Sequence, residues 1–141
     1  MASANTVEHA RLRAFHDALG AAGTRAFVEA VSGKKLSAVE MRSYVYLAGS
    51  YLLPHTDSRE GGRRSVSYAY YLVGTPNHTG GELDLYECEL EGRELAGARP
   101  TVTIEAIPNR LVLFDVSPLS LHQVREVTSG GRVSLAGWYL S

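Results

Sequence analysis

Pro54-His55-Thr56-Asp57 is the stretch on which the reading of this chain turns. Alternate side chains of an extended segment share a face, so His55 and Asp57 point the same way. Far downstream His122 offers a second imidazole. Two imidazoles and one carboxylate on one side of a metal ion leave its remaining coordination positions open. Arg132 follows His122 by ten residues, and Ser134 stands two further on. An arginine and a hydroxyl on one strand face are suited to holding a carboxylate some way from the metal.

The bounds of the chain fit this picture. Its 141 residues suit a single domain over 1–141, with a helical lead over 5–33 and a β core over 43–140. With 45% hydrophobic and 21% charged residues, the composition is that of a folded, soluble protein. A net charge of −1 makes no electrostatic case for nucleic acid or an anionic membrane. No apolar run is long enough to span a bilayer, and the N-terminus lacks the basic-then-apolar pattern of a signal peptide. Cys88 is alone, so no internal disulfide forms, and the reducing cytoplasm is the expected compartment.

Between residues 6 and 19, Val7, Ala10, Leu12, Phe15 and Leu19 recur at helical spacing, with Asn5 or Thr6 as N-cap and Gly20 as stop. A second helix is expected over 24–31, carrying Phe27, Val28 and Val31 and closing at Ser32-Gly33. Residues 36–42 are ambiguous. From residue 43 the pattern changes. Tyr44, Tyr46, Leu47, Tyr51 and Leu52 read as strand, interrupted at Gly49-Ser50. A polar loop follows over 58–64, then a strand rich in Tyr and Val over 65–73 and a turn cluster over 75–80. Short strands are expected over 82–88, 101–107, 110–114, 121–127 and 132–139, bounded by Gly, Pro, Asn or Ser. Many short strands after a helical lead predict a closed or double-layered antiparallel barrel buttressed by helices, whose mouth is a natural pocket.

The ordered set His55-x-Asp57, His122 and Arg132-x-Ser134 resembles the iron(II)/2-oxoglutarate-dependent dioxygenase superfamily, most closely its prolyl 4-hydroxylase-like branch. Tyr70-Tyr71-Leu72, the Gly80-Gly81-Glu82-Leu83 turn, Leu111-Val112-Leu113-Phe114 and His122-Gln123-Val124 agree with that pattern, so the likeness runs over roughly residues 43–140. The resemblance implies a mainly β protein with N-terminal helices and a double-stranded β-helix core, the jelly-roll or cupin-like fold. It implies iron(II) on His55, Asp57 and His122, and 2-oxoglutarate anchored by Arg132 with Ser134 and Tyr71. Tyr44 and Tyr46 stand as alternatives for a contact at the metal end. The implied activity is hydroxylation of a C–H bond by dioxygen, with release of succinate and carbon dioxide and with ascorbate as an auxiliary reductant. The implied substrate is an amino acid, a peptidyl residue or a small biosynthetic intermediate.

The charges favour such a site. Two neutral imidazoles and one carboxylate leave iron(II) at a net +1, and a chelating 2-oxoglutarate dianion takes the assembly to −1. A buried negative charge is costly, and Arg132 offsets it through the fork geometry of a guanidinium.

Rival readings are plainer. His55 and Asp57 also suit a hydrogen-bonded pair at a strand end, and Arg132 also suits the surface beside Gly130-Gly131. Ser134 and Tyr71 suit ordinary strand packing. Trp138 shares a face with Arg132 and Ser134 and reads as a pocket wall. His78 reads as a solvated loop residue, and His9 and His16 as surface or interhelical residues. Glu82 and Asp84 read as a solvent-facing acidic edge, with contact to a cationic substrate as the functional alternative. Zinc binds the same donors, but a hydrolytic zinc site has no use for an arginine ten residues past the last ligand. Asp57 favours hydroxylation over halogenation, where a small residue replaces the carboxylate. The reading from a different class is a jelly-roll that binds or senses a ligand without turnover.

Overall fold

A computed structural model describes the backbone of residues 2–5 and the whole of residues 9–141. The chain runs β1 (Ala2–Asn5), α1 (Ala10–Gly20), α2 (Ala22–Ser32), β2 (Ala38–Leu47), β3 (Leu52–His55), β4 (Arg64–Gly74), β5 (Thr79–Gly80), β6 (Leu83–Glu91), β7 (Glu94–Ile104), β8 (Arg110–Asp115), β9 (His122–Val124), β10 (Val127–Ser129) and β11 (Gly131–Leu140). Strands dominate, two helices stand near the N-terminus, and the core is a jelly roll. A five-stranded sheet of order β1-β2-β11-β4-β8 faces a four-stranded sheet of order β3-β9-β6-β7, and β10 pairs with β5.

The period-two alternation of the central strands assigns their faces. Val39 and Met41 on β2, Val66 and Tyr68 on β4, and Leu135 and Tyr139 on β11 form one apolar layer with Leu19 and Val28 of the helices. The alternate residues, Tyr44 and Tyr46, Ser67 and Tyr71, and Ser134 and Trp138, line the space on the other side. That side closes over Leu83, Leu85 and Ile104 of the facing sheet, which pack with Tyr71, Val112 and Phe114. Polar ties fix the helical layer. The Tyr139 hydroxyl donates to the Leu19 carbonyl at 3.1 Å, and His16 Nε2 donates to the Val39 carbonyl at 3.0 Å.

Both helices begin elsewhere than the spacing predicts, while the second closes at Ser32-Gly33 as expected. Asn5 is strand, Thr6 and Val7 lie outside the described residues, and α1 starts after His9 with no side-chain cap. On α2 only Val28 is buried; Phe27 and Val31 are exposed on its outer face. Gly33 closes this helix in the left-handed region at φ 70°. The ambiguous stretch 36–42 is mostly β2. Residues 94–100, which carry no strand pattern, pair with β6 in a long hairpin, Tyr86 opposite Pro100 and Glu91 opposite Glu94. Backbone pairing carries that hairpin, because Glu87, Glu89, Glu91 and Glu94 leave few apolar side chains to bury. Among the described residues no helix is long and apolar enough to cross a membrane.

Candidate metal centre

His55 and His122 are direct partners across the antiparallel pair β3–β9. Their rings stand with centroids 4.3 Å apart. Asp57 lies two residues beyond the end of β3, in the loop rather than on the strand itself. One ligating atom from each of His55, Asp57 and His122 lies within 4.8 Å of the other two. The His55 Nε2 to Asp57 Oδ1 distance is 3.8 Å, and His122 Nε2 to Asp57 Oδ2 is 3.5 Å.

The local backbone selects the tautomer of each imidazole. His55 Nδ1 is 2.8 Å from the Leu53 carbonyl, and His122 Nδ1 is 3.0 Å from the Ser120 carbonyl. A carbonyl oxygen can only accept, so both Nδ1 atoms carry the hydrogen and both Nε2 lone pairs face the carboxylate. The Ser67 hydroxyl donates to Asp57 Oδ2 at 2.6 Å, which fixes the carboxylate plane. Burial lowers the His122 pKa below the ordinary histidine value, and nearby His55 adds to this against the Ser120 bond and Asp57. The ring is therefore neutral at neutral pH, as a ligand must be. Phe114 shields it, edge-on at 4.7 Å. Bonds of about 2.0–2.2 Å to imidazole and carboxylate donors would put neighbouring ligand atoms roughly 3 Å apart, so the three need only a small inward movement to hold a first-row metal ion.

Arg132 occupies the same cavity, of about 300 Å³, on the opposite sheet. It is 4% exposed. Nη1 donates to Ser134 Oγ at 3.2 Å, Nη2 donates to the Gly81 carbonyl at 3.1 Å, and Nε has no partner. Its guanidinium carbon lies 4.2 Å from the Tyr46 ring centroid and 5.1 Å from that of Tyr71. Among the described residues no carboxylate lies within ion-pair distance of it; Glu82 acts only through space. Burial pushes the Tyr46 hydroxyl up to about 12 and the Tyr71 hydroxyl upward as well, so both are neutral phenols despite the arginine. A buried cation without a counter-ion is an anion site in waiting. A dicarboxylate reaching from the metal to Arg132 fits this donor set.

Gly81 of the turn leaves room for that arginine. Gly81 has φ 76°, and a Cβ there would stand 2.9 Å from Val127 Cγ2 and 3.0 Å from Arg132 Nε.

The Tyr46 ring packs against the Arg132 guanidinium. Some sequence expectations change. His78 is no solvated loop residue: its Nε2 is enclosed without a partner, and burial and Arg132 lower its pKa. Asp84 is no solvent-facing edge. It is 0% exposed and accepts bonds from Thr103, Gln123 and Arg125. It is absent from the cavity lining, so it meets no substrate there. Two features were missed. Ser67, which orients Asp57, was signalled only by a polar residue inside a Tyr- and Val-rich strand. Arg64 and Arg42, which lie 3.4 and 5.4 Å over the Trp138 ring, look like ordinary surface arginines in the sequence.

Comparison with known proteins agrees with the geometry. Residues 41–140 match the model of the 2OG-Fe(II) oxygenase superfamily. The chain is 37% identical over 123 residues to prolyl 3-hydroxylase OGFOD1 of Mus musculus, covering 82% of this chain and 21% of that relative. The chain thus spans about a fifth of that relative's length. In fold it is similar to a Pseudomonas putida prolyl-4-hydroxylase, with TM-score 0.70 and 24% identity over 98% of this chain and 71% of that one. It is also similar to a Trichoplax adhaerens prolyl hydroxylase in complex with a hypoxia inducible factor oxygen degradation domain peptide fragment, with TM-score 0.69 and 21% identity over 99% of this chain and 61% of that one. The matched span includes the three convergent ligands, the buried arginine and the strands that carry them, and the chain belongs to the 2OG-Fe(II) oxygenase superfamily.

Proposed function

We propose that this chain hydroxylates a C–H bond of a prolyl residue in a peptide, using dioxygen, iron(II) and 2-oxoglutarate. The observation that carries the reading is the pairing, in one cavity, of the His55, Asp57 and His122 cluster with a buried arginine that lacks a counter-ion. The prolyl substrate rests on what the relatives are named for: a prolyl 3-hydroxylase at 37% identity and a prolyl hydroxylase bound to a peptide.

When bound, iron(II) and 2-oxoglutarate supply the oxidising power for C–H hydroxylation, and the cosubstrate leaves as succinate and carbon dioxide. The chain's own residues position and shield. The Leu53 and Ser120 carbonyls hold the imidazoles with Nε2 inward. Ser67 holds one carboxylate oxygen of Asp57. Arg132 receives the far carboxylate of the diacid, with the Ser134 hydroxyl beside it as a further donor. Tyr46 and Tyr71 wall the guanidinium and exclude water, which strengthens that ion pair.

The test is succinate formation. Protein loaded anaerobically with iron(II) and 2-oxoglutarate and then exposed to air with proline-containing peptides should release succinate and a hydroxylated peptide. Asp57→Ala should release neither while keeping its circular dichroism. A wild-type protein that binds 2-oxoglutarate but yields no succinate under these conditions is a binding or sensing jelly roll instead.

A further inference from the structure

The mouth of the cavity carries more positive charge than the proposed reaction uses. Arg42, Arg59 and Arg64 line it together with Trp138. The sheet register sets this up: Arg42 stands opposite Ala136 and Arg64 opposite Leu140, so the two arginines reach the Trp138 ring diagonally from either side. A guanidinium stacked on an indole keeps its plane against the ring and its N–H edge free for an in-plane acceptor. Among the described residues none of the three arginines is in an ion pair. Asp57, already committed to the metal cluster, and Glu40 act on Arg64 from a distance. Burial, Arg59 and Arg42 outweigh them and lower its pKa.

A second observation comes from Trp138 itself. The residue is 9% exposed, and its Nε1 is buried with no acceptor. Among the described residues the mouth therefore offers three guanidinium groups around an indole, and Asp57 is the one carboxylate in the cavity lining. Glu40 stands opposite Trp138 on β2 and acts on Arg64, but it is not in the cavity lining. Glu87, Glu89, Glu91 and Glu94 project from the β6–β7 hairpin, and Arg125 neutralises Asp84. The net charge of −1 hides this segregation.

We infer that the substrate bears a carboxylate close to the carbon it presents for oxidation, and that Arg42, Arg59 and Arg64, ranged about the Trp138 ring, receive it. The inference rests on the hydroxylase reading for the identity of the site. Because the rim and the metal cluster line one cavity, the carboxylate belongs to the oxidised residue or to its immediate neighbour. Two sources share this chemistry: the α-carboxylate of a C-terminal residue, and the side chain of an adjacent Asp or Glu.

Trp138 is the one tryptophan in the chain, so its fluorescence reports this site. Binding is read anaerobically with iron(II) and 2-oxoglutarate present, so that nothing turns over. The probes are N-acetylproline and N-acetyl-prolyl-aspartyl amide, each against its neutral counterpart, N-acetylprolinamide and N-acetyl-prolyl-asparaginyl amide. At least one acidic probe should bind about tenfold tighter than its neutral twin, with the gap narrowing as salt rises. A preference for the first pair identifies an α-carboxylate, and for the second a side-chain carboxylate. The double variant R42Q/R64Q should lose the preference, and Arg64→Lys should retain most of it. Equal affinity of acid and amide, failure of both acidic probes to bind, or a preference that survives in R42Q/R64Q overturns the inference. Admitting air to the same samples separates the two readings. Charge preference without succinate counts against the hydroxylase alone, and succinate without charge preference counts against this inference alone.

Discussion

Arg132 and Tyr46 face each other across β11 and β2, and the guanidinium carbon of the first lies 4.2 Å from the ring centroid of the second. With Tyr71 also against it, the arginine is held in place and cannot turn toward solvent. The protein therefore bears the cost of a buried charge until an anion arrives. Arg132→Met should weaken 2-oxoglutarate binding by about 2–4 kcal/mol, roughly thirty- to a thousandfold, as expected for a lost buried charge pair. The metal-free, cosubstrate-free variant should be no less stable than wild type. Calorimetric titration with 2-oxoglutarate and urea unfolding measure the two effects. Unchanged affinity would remove the role assigned to Arg132.

Ser67 touches no ligand directly and should still matter. Its hydroxyl holds Asp57 Oδ2 at 2.6 Å. Partners of this kind fix the plane and basicity of a coordinating group, and their loss typically weakens metal binding about 10–100-fold. Ser67→Ala should show that loss in an iron(II) or manganese(II) titration, with 2-oxoglutarate affinity at saturating metal little changed. Equal metal affinity in both proteins would make the bond incidental.

What could be read from the sequence follows chemistry more than geometry. His55, Asp57, His122 and Arg132 were legible because few residue types serve their roles and because their order along the chain is distinctive. The cross-strand pairing of His55 with His122 was not legible, since nothing local to either segment encodes the register of β3 on β9. The alternation along β2, β4 and β11 announced strands, but only the helices packed on one face decide which alternate set looks into the cavity. Residues 94–100 carry the Glu, Gly and Arg of a loop, and only their partner β6 makes them a strand. Asp84 looked solvated because its three donors come from residues 103, 123 and 125, far away in the chain. Arg42 and Arg64 looked like surface residues because their relation to Trp138 exists only across the sheet.

Gly81→Ala tests how closely the turn serves the arginine. The residue has φ 76° and would bring a Cβ within 3.0 Å of Arg132 Nε. An alanine in this backbone region is strained by about 1–3 kcal/mol. Its carbonyl also accepts from Arg132 Nη2, so relief of the strain displaces the guanidinium. The variant should unfold at lower urea and bind 2-oxoglutarate at least several-fold more weakly, with metal affinity retained. Loss of stability alone, with 2-oxoglutarate affinity intact, would show the turn to be independent of the anion site.

Asp84 gives the fold a definite response to acid. Burial alone would raise its carboxyl pKa, but hydrogen bonds from Arg125, Gln123 and Thr103, with the Arg125 charge, outweigh it and hold the value below the ordinary one. The unfolded chain, titrating at about 3.9, then takes up its proton at a higher pH than the folded chain does. The stabilisation is complete above that unfolded value and is lost as pH falls through the folded one. Because Asp84 ties β6 to Thr103 on β7 and to Gln123, the neighbour of His122 on β9, the loss loosens the sheet that carries the metal cluster. Asp84→Asn should cost about 1–3 kcal/mol at neutral pH, the usual penalty for breaking a buried charged hydrogen-bond set. The gap between variant and wild type should then close as the pH is taken below the carboxylate range. Urea midpoints at neutral and acid pH measure it, and a gap that does not change with pH would mean that Asp84 acts through packing rather than through its charge.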